Sequence, residues 1–373
     1  MKMNQYFWTA VLIALPVALL IQISRTANSD PGSLIVHEWG TFTSCQDENG
    51  SALGAINTDD EPLPPFVHDI VPMLINPNSS LFLGGKGVPD CDPDVTMRLE
   101  TPVLYFYPQG NSAPKYVSVS VDFHGGWLTQ YFPDALAIAP GLWVNNAGSN
   151  INSQIGRITA NTVGRLVWQN VELNASPGGP QTDDYVWTSP RQVNASYVQT
   201  PAGETERFLF YRGVGHLDSP LRIIQTGSQL QNVDLLRKSM HQGLVAAGLY
   251  DDEATALLNT WQLSYFRSGG ERVFFIVPQV WTDWVLPLDV HTPADITRVM
   301  VGRIELVTPE QRALLNKMAT MPADSLDFNQ LVEDYNQLGR FAAALIINEE
   351  HLHPSPAYEL LLKNIAIDNG QTN

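Results

Sequence analysis

Residues 115–123 alternate without a fault, with Val117, Val119, Val121 and Phe123 on one side and Tyr116, Ser118, Ser120 and Asp122 on the other. A period of two puts the apolar set on one face of a β-strand and the polar set on the opposite face. Such a strand leaves backbone N–H and C=O groups along both edges, so it has to be paired into a sheet whose apolar face is covered. Further strands are expected at 103–107, 165–173, 206–211 and 272–277. A long one at 296–307 is apolar on both faces, which places it inside a sheet rather than at its edge. The 27 glycines and 26 prolines are spread along the whole chain, and the segments between strands are rich in the residues that turns require. There is no fixed-period repeat and no low-complexity linker.

Helical spacing interrupts the β pattern twice. Val233, Leu236, Met240 and Leu244 recur on one helical face and Gly248 stops the run. Asp251 or Asp252 is expected to cap a second helix whose apolar face is Ala254, Leu257, Leu258, Trp261 and Tyr265. Near the C-terminus, Thr308-Pro309-Glu310-Gln311 is a capping box with proline at the first helical position. Leu331, Tyr335, Leu338, Ala342 and Leu345 predict one further helix, and Ser355-Pro356 opens another. The expected architecture is α+β. A large antiparallel or mixed, sandwich-like β body spans residues 30–307, with a helical hairpin inserted at 232–267 and a helical cap at 308–373.

The N-terminus reads as an export signal. Lys2 precedes an apolar run from 6 to 23 broken only by Thr9, Pro16 and Gln22, and Ala27-Asn28-Ser29 fits a small-x-small cleavage site after Ser29. The run approaches the length of a membrane span, so an uncleaved anchor is the alternative. After cleavage no segment long enough to span a membrane remains. Without Lys2 and Arg25, 19 basic residues would face 38 acidic ones, a net charge of −19. That field repels nucleic acid and anionic lipid. The expected location is periplasmic or extracellular. The two cysteines, Cys45 and Cys91, form one disulfide in an oxidising compartment, or else remain as buried thiols. Asn78, Asn174 and Asn194 lie in glycosylation sequons, which matter only in a eukaryotic host.

Several catalytic motifs are absent. The chain has no Gly-x-Ser-x-Gly elbow, Gly84-Gly85-Lys86-Gly87 lacks the spacing of a phosphate loop, and His37-Glu38 has no second histidine four residues on. On a strand, His37 shares a face with Ile35 and Trp39, and Glu38 points the other way with Val36 and Phe42. Histidine–acid pairs at spacing two (Asp122/His124, His216/Asp218, Asp289/His291) put both groups on one face if extended. Either solvent-facing charge or an acid–base or metal site can use that arrangement. Glu349-Glu350-His351-Leu352-His353 offers ligands at a helix end. Asp90, Asp92 and Asp94 match the first three ligand positions of an EF-hand, but Val95 stands where the tight turn needs glycine. A Cys45–Cys91 bridge would bring Asp47 and Glu48 to them, which is the basis for a calcium expectation; the plainer reading is a solvated acidic loop. Arg98/Glu100 and Arg303/Glu305 each share a strand face. They read either as structural ion pairs or as a polar pocket in which arginines hold an anionic group beside a carboxylate.

Four boxes together resemble a family of exported bacterial proteins: HEWGTFTS at 37–44, MRLETPVLYFY at 97–107, RFLFYRGVG at 207–215, and RVFFIVP at 272–278 followed by RVMVGRIELVTP at 298–309. The resemblance spans most of the chain after the leader. It implies a bacterial envelope setting and supplies no substrate, cofactor or catalytic residue.

Two functions follow as expectations. One is a non-catalytic envelope protein that binds a partner or small ligand, with Trp127, Trp143, Trp168 and Trp187 as a contact platform. The other is a hydrolase, metal-assisted or not, in which His37, His216, Asp218, Arg98, Arg212 and Glu305 come together in one cleft.

Overall fold

A computed structural model describes residues 9–12, 33–58, 63–70, 91–141, 157–224 and 232–371. The strands are β1 (Thr9–Leu12), β2 (Leu34–Gln46), β3 (His68–Asp69), β4 (Met97–Pro108), β5 (Tyr116–His124), β6 (Gly126–Phe132), β7 (Leu136–Ile138), β8 (Val163–Leu173), β9 (Val198–Gln199), β10 (Thr205–Glu206), β11 (Leu209–Gly215), β12 (Glu271–Ile276), β13 (Leu288–Val290) and β14 (Asp295–Leu306). They belong to one mixed sheet whose main path runs β1-β12-β14-β2-β4-β11-β6-β8-β5-β13. The α+β, β-rich expectation matches this architecture. As expected, β14 is interior: it lies between β12, antiparallel, and β2, parallel along twelve residue pairs. Of the expected leader, only Thr9–Leu12 falls within the described residues, as an edge strand parallel to β12.

The two faces of the sheet take different cover. Along β2, Leu34, Val36 and Phe42 enter one core with Leu104 and Phe106 of β4, the alternating valines of β5, and Leu166, Trp168 and Val171 of β8. Trp39 enters a second core, on the opposite face, with Val103, Tyr105, Phe210, Val299 and Val301. Helices α2 (Val233–Ala246), α3 (Asp251–Thr260) and α4 (Gln262–Phe266) cover that second face, and Gly248, at φ 117°, makes the turn between α2 and α3. The cap of α3 differs from expectation. Tyr250 occupies the N-cap position, and Glu253 reaches back to accept a hydrogen bond from its backbone N–H at 2.7 Å, so Asp251 and Asp252 sit inside the first turn. A short helix, α5 (Gln279–Val285), lies on the first face, and α1 (Tyr185–Thr188) packs near α3.

The C-terminal cap contains α6 (Pro309–Ala319), α7 (Phe328–Gln337), α8 (Ala342–Leu352) and α9 (Pro356–Gln371). The Thr308 capping box forms as expected, with Gln311 N–H donating to Thr308 Oγ1 at 3.1 Å. The single helix expected from Leu331 to Leu345 is instead two. Gly339 takes φ 82°, a left-handed conformation that ends a helix, and it turns Arg340 and Phe341 out toward the sheet. Among the described residues no helix is long and apolar enough to cross a membrane.

Two further expectations are corrected. Cys45 and Cys91 are two separate thiols and do not form a disulfide. Cys45 is fixed inside β2, with its carbonyl accepting from Leu53 N–H, whereas Cys91 is held in a left-handed turn by its N–H bond to Asn57. Among the described residues, the expected tryptophans form no surface platform. Trp127, Trp168 and Trp187 are at most 1 % exposed, because their strands and helix turn them into the cores, and the indole N–H groups find Pro140 O, Pro133 O and Glu206. Trp143 lies outside the described residues.

Candidate functional site

The site begins with a break in alternation on β4. Val103 and Tyr105 face the second core while Leu104 and Phe106 face the first. Strict alternation from there would send Arg98 and Glu100 into the first core. Instead Met97 and Leu99 occupy it, and Arg98 lies over the Phe341 ring on the opposite face, 5.6 Å from its centroid. The parity switches at Thr101, whose φ of 50° is costly for a β-branched residue. The pairing of β4 slips here against both neighbours, between Trp39 and Thr41 on β2 and between Phe210 and Gly213 on β11. Such a bulge re-aims side chains. It also explains Gly40: a Cβ there would lie 2.9 Å from Pro102 Cα.

The result is a polar band across the face that carries the second apolar core. Arg303 of β14, Thr43 of β2 and Arg98 of β4 stand abreast, and Thr41 is paired with Glu100. Arg212 and Gln130 continue the band on β11 and β6. Arg98 Nη2 meets Glu100 Oε1 at 2.7 Å, and Thr43 Oγ1 donates to Glu100 Oε2 at 3.1 Å. Arg340, delivered by the turn after α7, approaches the same carboxylate at 3.4 Å, and its guanidinium lies 5.5 Å from the Phe341 centroid. Glu305 Oε1 is shared by Arg303 Nη2 at 2.5 Å and Arg272 Nε at 3.0 Å. Arg212 Nη1 donates to Gln130 Oε1 at 3.3 Å, and Gln130 Nε2 donates to Asp69 at 3.2 Å. The side chains of Arg98, Glu100 and Arg303 are fully buried.

Electrostatics in the band are set by burial opposed by pairing. Burial raises the Glu305 carboxyl, but Arg272, Arg303 and Arg340 outweigh it and hold it below the usual carboxylate range. Burial brings Arg272 down to about 10, against the pull of Glu305. Arg272 also donates to the carbonyls of Ser264, Tyr265 and Gly269, which ties α4 to the sheet. Beside the band is a cavity of about 20 Å³, with Cys45, Glu305, Gln311, Arg340, Phe341 and Leu345 in its wall. That volume admits about one water.

Of the six residues expected in one cleft, the structure gathers Arg98, Arg212 and Glu305 on one sheet face. His37 is on that face but at its far end, six residues along β2 from Thr43, or about 20 Å. Its Nδ1 is 2.8 Å from Glu253 Oε2, and Tyr107 OH donates to Glu253 Oε1 at 2.8 Å. With the Tyr250 N–H, this carboxylate is fully engaged in pinning α3 to the sheet. His37 and Glu38 do point to opposite faces, and Glu38 is buried with Arg298 and Tyr211. His216 and Asp218 lie exposed beyond the end of β11, where His216 Nδ1 is 2.8 Å from the Asp94 carbonyl oxygen. The cleft expected from all six residues is therefore not formed.

Of the carboxylates expected to hold calcium, the four that are described have protein partners. Asp94 forms a two-pronged pair with Arg157, whose hydrogen bonds hold the Asp94 carboxyl below its usual range. Asp92 accepts from Asp94 N–H, Asp47 accepts from the N–H groups of Asn49 and Ser51, and Glu48 pairs with Arg312. Asp90 lies outside the described residues. Among the described residues no three histidine, cysteine or acidic side chains are gathered for a metal. Elsewhere, Asp122 pairs with Arg165, Asp289 with His291 at the surface, and Glu349 with Arg312.

Arg272, Arg340 and Thr43 were not among the residues singled out from the sequence. For Arg340 the available signal was Gly339 inside a helical pattern. No family model, curated protein or solved structure matches this chain.

Proposed function

We propose that this chain is an exported envelope protein that binds a small ligand through an anionic group, carboxylate or phosphate, held at the arginine band. The observation that carries the reading is the bulge at Thr101. It spends backbone strain to turn Arg98 and Glu100 onto the face where Arg212, Arg303 and Arg340 already lie. Strain kept in place by its surroundings is concentrated at functional positions. Guanidinium groups are the side chains suited to two-pronged recognition of carboxylate and phosphate in a site shielded from water. The leader and the resemblance to exported bacterial proteins support the envelope setting. Separation of His37 and His216 from the band takes away the acid–base groups that a hydrolase built from this set would use.

Titration calorimetry and thermal melts with inorganic phosphate and with citrate test the reading. Binding to the wild type is expected, with a melting shift that grows with the logarithm of ligand concentration, and its loss in Arg98→Met and Arg303→Met. No heat and no shift with either anion, or equal shifts in wild type and variants, would remove the assignment.

A further inference from the structure

The C-terminal helices are built as a body of their own. Leu315, Met318, Leu331, Leu345, Ile346 and Tyr358 form a separate hydrophobic core, and α6, α7 and α8 all pack on α9. Among the described residues, their ties to the β body are three polar contacts and one apolar cluster. Arg312 meets Glu48 at 2.6 Å, Asn348 Nδ2 donates to Gly54 O at 3.1 Å, and Arg340 reaches Glu100. Phe341 and Ala344 supply the apolar part of the joint, against Cys45, Ile56, Val95 and Trp127. The chain enters this body at one point, where β14 ends and Thr308 caps α6. The cavity beside the arginine band lies in the joint: Cys45 and Glu305 belong to the sheet, and Gln311, Arg340, Phe341 and Leu345 belong to the helices.

We infer that α6–α9 is a lid hinged at Val307–Thr308, and that it brings Arg340 to the ligand as the closing contact of the band. The inference rests on the reading of the band as a ligand site. Arg98, Glu100 and Arg303 are sealed from solvent, so a ligand reaches them only when a covering element moves. The strands of the band are paired on both sides, with the ladders resuming past the bulge, and α4 is held by Arg272. The C-terminal body is held by an apolar contact, by the partly exposed pair Arg312–Glu48, which contributes little to stability, and by Arg340, which reaches the buried Glu100 only at 3.4 Å. Elements that open separately from the global fold have this profile of few cross-contacts and a core of their own.

Cys45 is a built-in reporter of the joint, because it lines the cavity and is 3 % exposed. In the full chain carrying Cys91→Ser, labelling of Cys45 by a thiol reagent is expected under native conditions about tenfold faster than global unfolding in the same buffer. Arg312→Met, which releases Glu48, is expected to speed labelling further, and whichever of phosphate or citrate binds is expected to slow it. Labelling no faster than global unfolding would overturn the lid, and it would do so whether or not either anion binds by calorimetry. A probe that binds by calorimetry yet leaves the labelling rate unchanged would overturn the closing role of Arg340.

Discussion

The two faces of β2 and β14 both bury charge, but they do so under different roofs. On one face, Glu38 accepts from Tyr211 OH at 2.5 Å and from Arg298 Nε at 2.6 Å, and Arg298 Nη1 donates to Asp283 of α5 at 3.0 Å. Both carboxylate oxygens are used, and burial of Arg298, which alone would lower its guanidinium, is outweighed by Glu38. The roof is α5, a short helix strung between β12 and β13 inside the β body. On the other face, Arg98, Arg303 and Arg340 gather around Glu100 and Glu305 beside a cavity, and the roof is shared by α4, whose Tyr265 ring lies 5.7 Å from the Arg303 guanidinium, and the end of the C-terminal helical body. Buried charge by itself therefore does not mark a site. Both sets of buried charge obey the same pairing rule, and on the lid inference what separates them is whether the cover can leave.

The largest effect expected from this contrast is on the closed face. Arg298→Met leaves Glu38 buried with only a tyrosine as partner, and breaking a buried pair from one side costs about 3–5 kcal/mol. Urea unfolding should show that loss, with no change in anion binding. A loss below about 1 kcal/mol would mean that the strut is replaceable and that the two faces are energetically alike.

Arg303→Met should cost less, about 2 kcal/mol, because Glu305 keeps Arg272 and loses only charge-assisted hydrogen bonds. Anion binding, by contrast, should disappear. If this variant loses stability as Arg298→Met does while binding survives, the band is a second strut.

Acid should separate the faces through Glu305 and Glu48, both held below the usual carboxylate range. For Glu48 the main cause is its hydrogen bond from Arg312. A carboxylate with a depressed folded pKa adds stability that is fully present above the unfolded value near 4.3, and that stability is lost as pH falls through the folded value. Stability and closure of the joint should hold from pH 7 to about 5 and decline below about 4. Hydrogen exchange across this range should show α6 and α8 losing protection before β5 and β8, and Glu48→Gln should flatten the dependence. Simultaneous loss in all four elements would show that the C-terminal body is not a separate unit.

Much of the framework was legible in sequence because it depends on local periods. The alternation of 115–123, the Thr308 capping box, the divergence of His37 from Glu38 and the shared face of Arg303 and Glu305 all follow from spacing within one segment. What was not legible depends on contacts between segments. The alternation of 103–107 continues plausibly through Arg98 until β2 and β11 are seen to slip against it. Leu331 to Leu345 keeps helical spacing straight across Gly339, so Arg340 reads as a helix-surface residue rather than as part of the band. Glu253 looks like a first-turn acid and is in fact the partner of His37, 216 positions away. The tryptophans look like binding residues only while their strands have no cover.

The smallest expected effect tests the origin of the band itself. Thr101→Gly removes a strained left-handed β-branched residue, a relief of roughly 1–3 kcal/mol. It also loosens the unfolded chain by roughly 0.5–1 kcal/mol and forfeits the packing of a buried side chain. These contributions oppose each other, so unfolding free energy should move by no more than about 1 kcal/mol while anion binding is retained. That outcome would mean the bulge is imposed by Gly40, Pro102 and the neighbouring strands, and that threonine merely tolerates it. A loss well beyond about 1 kcal/mol together with lost binding would instead locate the parity switch in the Thr101 side chain, and the band would then depend on one residue rather than on the register of the sheet.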